Sequence, residues 1–354
     1  MDNLYLGETV DVLPEKYLKL DKKDTRIFNA LFENGRYPYS VIAKKAKISR
    51  ELATYRVKRL LDKKVITGFV TLINTKALGY LKYDIYIRFQ KMHEAKEKEI
   101  INTLKQENSI VTVATIGGNY DLALQISVKS IDQFDDILTK ILTIGGDYIS
   151  NYMIMNVLHE NHIPMNLFGE KIDFSKYTGK PDGSFKKELT APKKNVEDNL
   201  VNIDSKDKKI LKILATDARA SLMDISAKVN LTANAVNYRI KKLIEKKIIT
   251  GFMATPSFPL LGIEWDSILL KFKNFTKENE NKFLYFIKHH PYICYSTKLV
   301  GNWNYQISVA SKGPMHLRNI LMEFRDVFKD TLQEYETMRV FKQHKFAVKG
   351  IENK

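Results

Sequence analysis

The feature that most constrains this 354-residue chain is an internal repeat. Residues 20–70 align with residues 203–253 without a gap at a constant offset of 183, and 18 of the 51 positions are identical. Asp21, Asp24, Ile27 and Leu31 fall on Asp204, Asp207, Ile210 and Leu214, and Ile66-Thr67-Gly68-Phe69 falls on Ile249-Thr250-Gly251-Phe252. The same offset places Gly79 on Gly262, Gly118-Asn119 on Gly301-Asn302 and Met155 on Met338. The chain therefore reads as a duplicated two-part unit. Its expected divisions are a tail over 1–19, a helical domain over 20–75, an α/β domain over 76–160, a linker over 161–202, a second helical domain over 203–257, a second α/β domain over 258–345, and a tail over 346–354.

The first part of each unit predicts three short helices. Asp21 and Asp204 are good N-caps for a first helix whose apolar positions are Ile27 and Leu31, or Ile210 and Leu214. A second helix is expected over Tyr39–Ala46 and Leu222–Val229, and a third after the N-caps Ser49 and Thr232. The third helix carries Ala53, Val57, Leu60 and Leu61, or Val236, Ile240, Leu243 and Ile244, at a spacing that buries one stripe. Its other face, with Arg50, Thr54 and Lys58 or Ala233, Asn237 and Lys241, must look outward. A buried stripe backed by a polar face is the helix-turn-helix pattern.

Charge localisation gives that pattern a purpose. Of a formal net charge of +16, residues 20–70 hold +8 and residues 203–253 hold +6. A charge serving only solubility would be spread over the chain; concentration on two helical modules suits phosphate binding, where each Lys or Arg contact releases counterions. Double-stranded DNA is the expected partner. The one cysteine, Cys294, precludes an intramolecular disulfide and points to a reducing, cytoplasmic setting, and no membrane association is expected.

The second part of each unit alternates strands and helices. Strand 83–89, helix 93–106, strands 110–116 and 120–128, helix 131–142 and strand 149–157 spell β-α-β-β-α-β. Unit two repeats this with strand 267–272, helix 277–289, strands 293–300 and 303–309, helix 315–328 and strand 331–341. The expected fold class is α+β: two winged or three-helix helix-turn-helix domains, each followed by a ferredoxin-like βαββαβ domain.

The order Leu20-Asp21, Tyr55-Arg56-Val57, Ile66-Thr67-Gly68-Phe69 and Gly118-Asn119-Tyr120-Asp121 resembles the Lrp/AsnC family of transcriptional regulators, and unit two resembles it through Ile203-Asp204, Arg239-Ile240, Ile249-Thr250-Gly251-Phe252 and Gly301-Asn302-Trp303-Asn304. The resemblance implies a regulator with DNA-binding domains, ligand-sensing α/β (RAM-type) domains and assembly through the α/β sheets. Ordinary members are single units that dimerise, so a tandem implies an intramolecular pseudo-dimer, with further homo-oligomerisation left open. The family usually closes the third helix with glycine; here Lys64 and Lys247 stand there, entering the left-handed conformation at a cost.

Candidate DNA-binding residues are Ser49, Arg50, Glu51, Thr54, Tyr55, Arg56, Lys58 and Arg59, and Thr232, Asn234, Asn237, Tyr238, Arg239, Lys241 and Lys242. Arg56 and Arg239 could hold phosphate or pair with Asp24 and Asp207; Tyr55 and Tyr238 could meet the DNA backbone or pack at the helix edge. Lys58, Arg59, Lys241 and Lys242 are the better phosphate candidates. Because Arg50, Glu51 and Thr54 differ from Ala233, Asn234 and Asn237, two non-identical half-sites are expected.

By the resemblance, Gly118, Asn119, Tyr120 and Asp121, with Gly301, Asn302, Trp303 and Asn304, match an effector loop for an amino acid. A plain turn using the glycines' freedom explains them equally, and Asn304 lacks the charge that would pair an ammonium. The 43 residues from Glu160 to Asn202 span roughly 35–40 Å as a flexible chain, enough for the second α/β domain to pair with the first, and Phe168, Ile172 and Phe174 could dock part of this linker. Two alternatives stand beside the regulator. One is a non-sequence-specific architectural DNA binder. The other is a fused enzyme like the siroheme decarboxylases, which also resemble this architecture; the matching strands Val111-Thr-Val-Ala-Thr and Ile293-Cys-Tyr-Ser-Thr lack the histidine those enzymes use. No enzymatic activity, cofactor or metal is expected, since His159, His162, His289 and His290 show no zinc-site spacing.

Overall fold

The structure, a computed structural model, describes residues 17–164 and 200–347. The linker residues Phe168, Ile172 and Phe174 lie outside the described residues, as do most of both tails. Residues 17–154, 200–261 and 341–347 form one compact unit, and residues 155–164 and 262–340 a second.

The first unit holds both helix-turn-helix domains. The first comprises α1 (Lys22–Glu33), α2 (Tyr39–Ala46), α3 (Arg50–Asp62) and strand β1 (Ile66–Ile73). Asp21 caps α1 by accepting from the backbone N–H groups of Lys23 and Asp24, and Ser49 caps α3 by accepting from Leu52. Ile27, Phe28, Leu31, Ile42, Ala53, Val57 and Leu60 close its core, each at most 2% exposed. The second copy comprises α6 (Ser205–Thr216), α7 (Leu222–Val229), α8 (Ala233–Glu245) and β6 (Ile249–Pro256), with Asp204 and Thr232 as caps. Lys64 and Lys247 adopt φ of 54° and 55°, the left-handed conformation their position demands. One core expectation fails: Ile244 is 44% exposed, because a residue eight positions after Val236 sits about 80° round the helix, at the edge of the stripe.

Strands β1 and β6 pair antiparallel, Phe69 opposite Ala254 and Thr71 opposite Phe252, and so join the two helix-turn-helix domains in a two-stranded ribbon. The loop after α1 extends this contact reciprocally. Gly35 N–H donates to Phe252 O (2.8 Å), and Ala218 N–H, at the matching position, donates to Phe69 O (2.9 Å). A Cβ on Gly35 would come 3.0 Å from the Met253 backbone, a tight fit, whereas the matching position of the second copy holds Ala218. Arg36 donates to the carbonyls of Ala218 and Ala220, and Arg219 to those of Gly35 and Tyr37. Each guanidinium also lies over an aromatic ring, Arg36 5.4 Å from Phe252 and Arg219 5.1 Å from Phe69.

The α/β part of the first unit runs β2 (Leu81–Phe89), α4 (Glu94–Gln106), β3 (Ile110–Gly117), β4 (Leu122–Val128), α5 (Ile131–Gly145) and the start of β5 (Ile149–His162). Its strand order, β3-β4-β2-β5, is the ferredoxin-like one, with Ile85, Ile87, Leu124 and Ile126 facing Ile100, Leu104 and Ile137 of the helices. The second unit repeats this with β7 (Glu264–Phe272), α9 (Lys277–His289), β8 (Ile293–Val300), β9 (Tyr305–Ser311), α10 (Pro314–Phe328) and β10 (Leu332–Phe346). Both last strands run five residues longer than expected. The end of β5 pairs with β8 within the second unit, and the end of β10 lies on β3 within the first, where Ala347 N–H donates to Val111 O (2.8 Å). The β3 and β8 edges are thereby covered.

Candidate nucleic-acid interface

Helices α3 and α8 present the candidate residues on matched surfaces. Tyr55 and Tyr238 are 63% and 61% exposed, and Arg50, Glu51, Thr54 and Lys58, like Asn234, Lys241 and Lys242, are exposed, with Asn237 half-buried. The Ser49 and Thr232 hydroxyls are engaged as caps, accepting from Leu52 and Ala235 (both 3.2 Å). The Thr54 hydroxyl donates to Arg50 O (2.9 Å), leaving its lone pairs and methyl outward.

Arg56 and Arg239 point back to the start of the first helix. Arg56 bridges Asp21 (2.7 Å) and Asp24 (2.9 Å), and Arg239 bridges Asp204 (2.7 Å) and Asp207 (2.8 Å). Of the two roles open in the sequence, these side chains occupy the ion pair. The backbone N–H of Asp24 and then Arg56 hold the Asp21 carboxyl below its ordinary range. The units differ one turn on: Arg59 also pairs with the buried Asp24 (2.6 Å), whereas Lys242 stays at the surface beside Glu245 (3.4 Å) and 5.6 Å from the Tyr238 ring. Arg59 is therefore engaged in an ion pair that its sequence position does not reveal.

In the candidate effector loops, Gly118 (φ 136°) and Gly301 (φ 141°) make the turn, and Asp121 and Asn304 perform one structural task. The Asp121 carboxylate accepts from Phe89 N–H and the Asn304 amide oxygen from Phe272 N–H, both at 2.7 Å. Only an oxygen acceptor is needed, so the loss of charge in unit two leaves the brace intact. Gly118, Asn119, Gly301 and Asn302 are exposed; Tyr120 lies 5.8 Å from the Tyr86 ring, and Trp303 is buried.

Sequence reasoning missed two groups. Neither β1 nor β6 reads as half of a shared ribbon, since each strand's partner lies some 180 residues away. In unit two, Glu280 is 7% exposed and accepts from Lys277, Lys298 and the Tyr305 hydroxyl (2.6 Å). Burial opposes its ionisation, but these hydrogen bonds outweigh burial and pull its carboxyl down to about 2. Among the histidines, the His162 ring lies tilted 4.8 Å from the Tyr295 ring, and His344 shares a 2.7 Å hydrogen bond with Thr115. Among the described residues, no three His, Cys, Asp or Glu side chains are grouped to hold a metal, and no helix is long and apolar enough to cross a membrane.

Comparison with known proteins bears on both copies. Residues 203–244 match the AsnC-type helix-turn-helix domain, and residues 20–67 match a winged helix-turn-helix DNA-binding domain. The HTH-type transcriptional regulator Ptr1 of Methanocaldococcus jannaschii is 33% identical over 121 residues, 34% of this chain and 80% of that protein. The chain belongs to the Lrp/AsnC family of transcriptional regulators. The regulator FL11 of Pyrococcus abyssi is 27% identical over 143 residues, 40% of this chain and 93% of that protein, so one relative spans roughly one of the two repeats. Over both repeats the fold is similar to that of the siroheme decarboxylase NirDL, with a TM-score of 0.58 at 10% identity and 93% coverage of each chain. That likeness is one of fold.

Proposed function

We propose that the chain is a sequence-specific DNA-binding transcriptional regulator whose two helix-turn-helix domains act as an internal pseudo-dimer on two non-identical half-sites. The observation that carries this is the β1–β6 ribbon with its reciprocal Arg36 and Arg219 contacts, which holds two exposed, basic recognition surfaces in one compact unit. Two-fold related recognition helices suit half-sites about one helical turn apart. Lys58 and Lys241 are the phosphate contacts of this reading, and Tyr55 and Tyr238 flank them.

Fluorescence anisotropy of the full chain with a random duplex, across a salt series, tests the reading. Affinity should fall steeply with salt, and Lys58→Ala and Lys241→Ala should each reduce the log–log slope by about 0.9. No binding at low salt would overturn it. Equal affinity for every duplex would favour the architectural alternative.

An amino-acid effector at the exposed Gly118–Asp121 turn belongs to the same reading, and titration calorimetry with a panel of amino acids tests it. Heat lost in Asp121→Asn would support the effector; no heat with any amino acid would leave the turn a structural brace. The decarboxylase reading rests on fold alone, and porphyrin absorption retained through purification would revive it.

A further inference from the structure

The two recognition helices are alike where a backbone contact would sit and unlike where base edges would be met. Tyr55 and Tyr238, and Lys58 and Lys241, occupy matched exposed positions with identical chemistry. The differences cluster on one outward patch of the first turn and a half: Arg50 against Ala233, Glu51 against Asn234, and Thr54 against Asn237. Arg50, Glu51, Asn234 and Asn237 make no side-chain hydrogen bond or ion pair with any described residue, so their polar atoms are available to a ligand. The neighbouring Ser49 and Thr232 hydroxyls donate no distinction, since both are engaged as caps.

We propose that the two helices read chemically different half-sites, α3 a G·C-centred one through Arg50 and Glu51, and α8 an A·T-centred one through Asn234 and Asn237. This rests on the DNA-binding reading above and assigns its specificity. A guanidinium donates two parallel hydrogen bonds to guanine O6 and N7, and a carboxylate accepts from cytosine N4; adjacent Arg and Glu suit a G·C pair or a step between two. A carboxamide both donates and accepts, matching adenine N7 and N6, and α8 carries two of them one turn apart at 234 and 237. Ala233 offers no polar atom, so α8 has no counterpart to the guanine contact. Thr54, whose hydroxyl hydrogen is given to Arg50 O, keeps an acceptor and a methyl but cannot form a bidentate pair. The backbone grip differs in the complementary sense: Arg59 is held by Asp24, while Lys242 stays at the surface beside α8.

Selection of the full chain on duplexes with two randomised arms tests the assignment. The expected motif keeps G·C pairs in one arm and A·T pairs in the other. Arg50→Ala should weaken the selected duplex roughly five- to 150-fold, with a far smaller change on a random duplex. The exposed graft Arg50→Ala, Glu51→Asn, Thr54→Asn should turn the motif into two A·T-centred arms, with an unchanged circular dichroism spectrum showing that it folds. Identical arms selected by the unaltered chain, or an Arg50→Ala loss equal on all duplexes, would overturn the assignment while leaving DNA binding intact. Failure to bind any duplex would instead remove the DNA-binding reading itself.

Discussion

The two helix-turn-helix domains share an interior and differ outside, whereas the two α/β domains share a backbone and differ inside. At matched positions Ile27 and Ile210, Leu31 and Leu214, and Leu60 and Leu243 build nearly the same helical core, while Arg50 and Ala233 face outward. In the α/β domains Ile100 becomes Phe283, Leu122 becomes Tyr305, Ile141 becomes Phe324 and Gly145 becomes Phe328. The first core is mostly aliphatic, with a stacked ring pair, Tyr83 and Phe134 at 4.0 Å; the second is a cluster of rings, with Phe283 4.5 Å from Tyr305 and Phe324 4.7 Å from Phe328. A buried tyrosine brings a hydroxyl that must be satisfied, and Glu280 with its two lysines satisfies it. The difference teaches that a fold tolerates exchange of its core if volume and polar partners change together, while a recognition surface can change residue by residue.

Breaking the Glu280 network should have the largest effect. Glu280→Ala leaves the buried Tyr305 hydroxyl and the half-exposed Lys298 without their shared carboxylate and should cost about 2–3 kcal/mol in denaturant unfolding, against less than about 0.5 kcal/mol for Glu97→Ala at the matching position. The network should also be acid-sensitive. The folded carboxyl titrates about 2 against an ordinary 4.5, so its stabilising contribution is complete above about pH 4.5 and lost as pH falls toward 2. Equal, small losses for Glu280→Ala and Glu97→Ala would dissolve the contrast between the two cores.

Next in size is the joint between the DNA-binding domains. Arg219→Ala removes two charge-assisted hydrogen bonds to carbonyls and two ring contacts, with Tyr39 and Phe69, and should cost about 2 kcal/mol; Arg36→Ala should match it within about 1 kcal/mol. Unfolding curves for both variants would test whether the reciprocal contacts carry equal weight. The smallest effect belongs to the turns. Asp121→Asn should cost less than about 1 kcal/mol, because Asn304 makes the same bond, and Asp121→Ala about 1–2 kcal/mol.

Much of the architecture was legible because it is local. The caps Asp21, Ser49, Asp204 and Thr232, the strand and helix periods, and the strained Lys64 and Lys247 all follow from neighbours within a few residues. What escaped depends on distant pairings. The fate of Arg59 is decided by Asp24, 35 residues earlier, and the burial of Glu280 by Tyr305, 25 residues later, so a glutamate in the charged run Lys277-Glu-Asn-Glu-Asn-Lys282 read as solvated. The ends of β5 and β10 outran expectation because their hydrogen-bond partners are in the other repeat.

Hydroxyl-radical footprinting of the full chain on its selected operator tests the central claim most directly. Two protected segments about one helical turn apart on one face of the duplex, carrying different sequences and unequal protection, are the predicted result. A single protected segment, or a strictly palindromic operator with both halves equally protected, would contradict it.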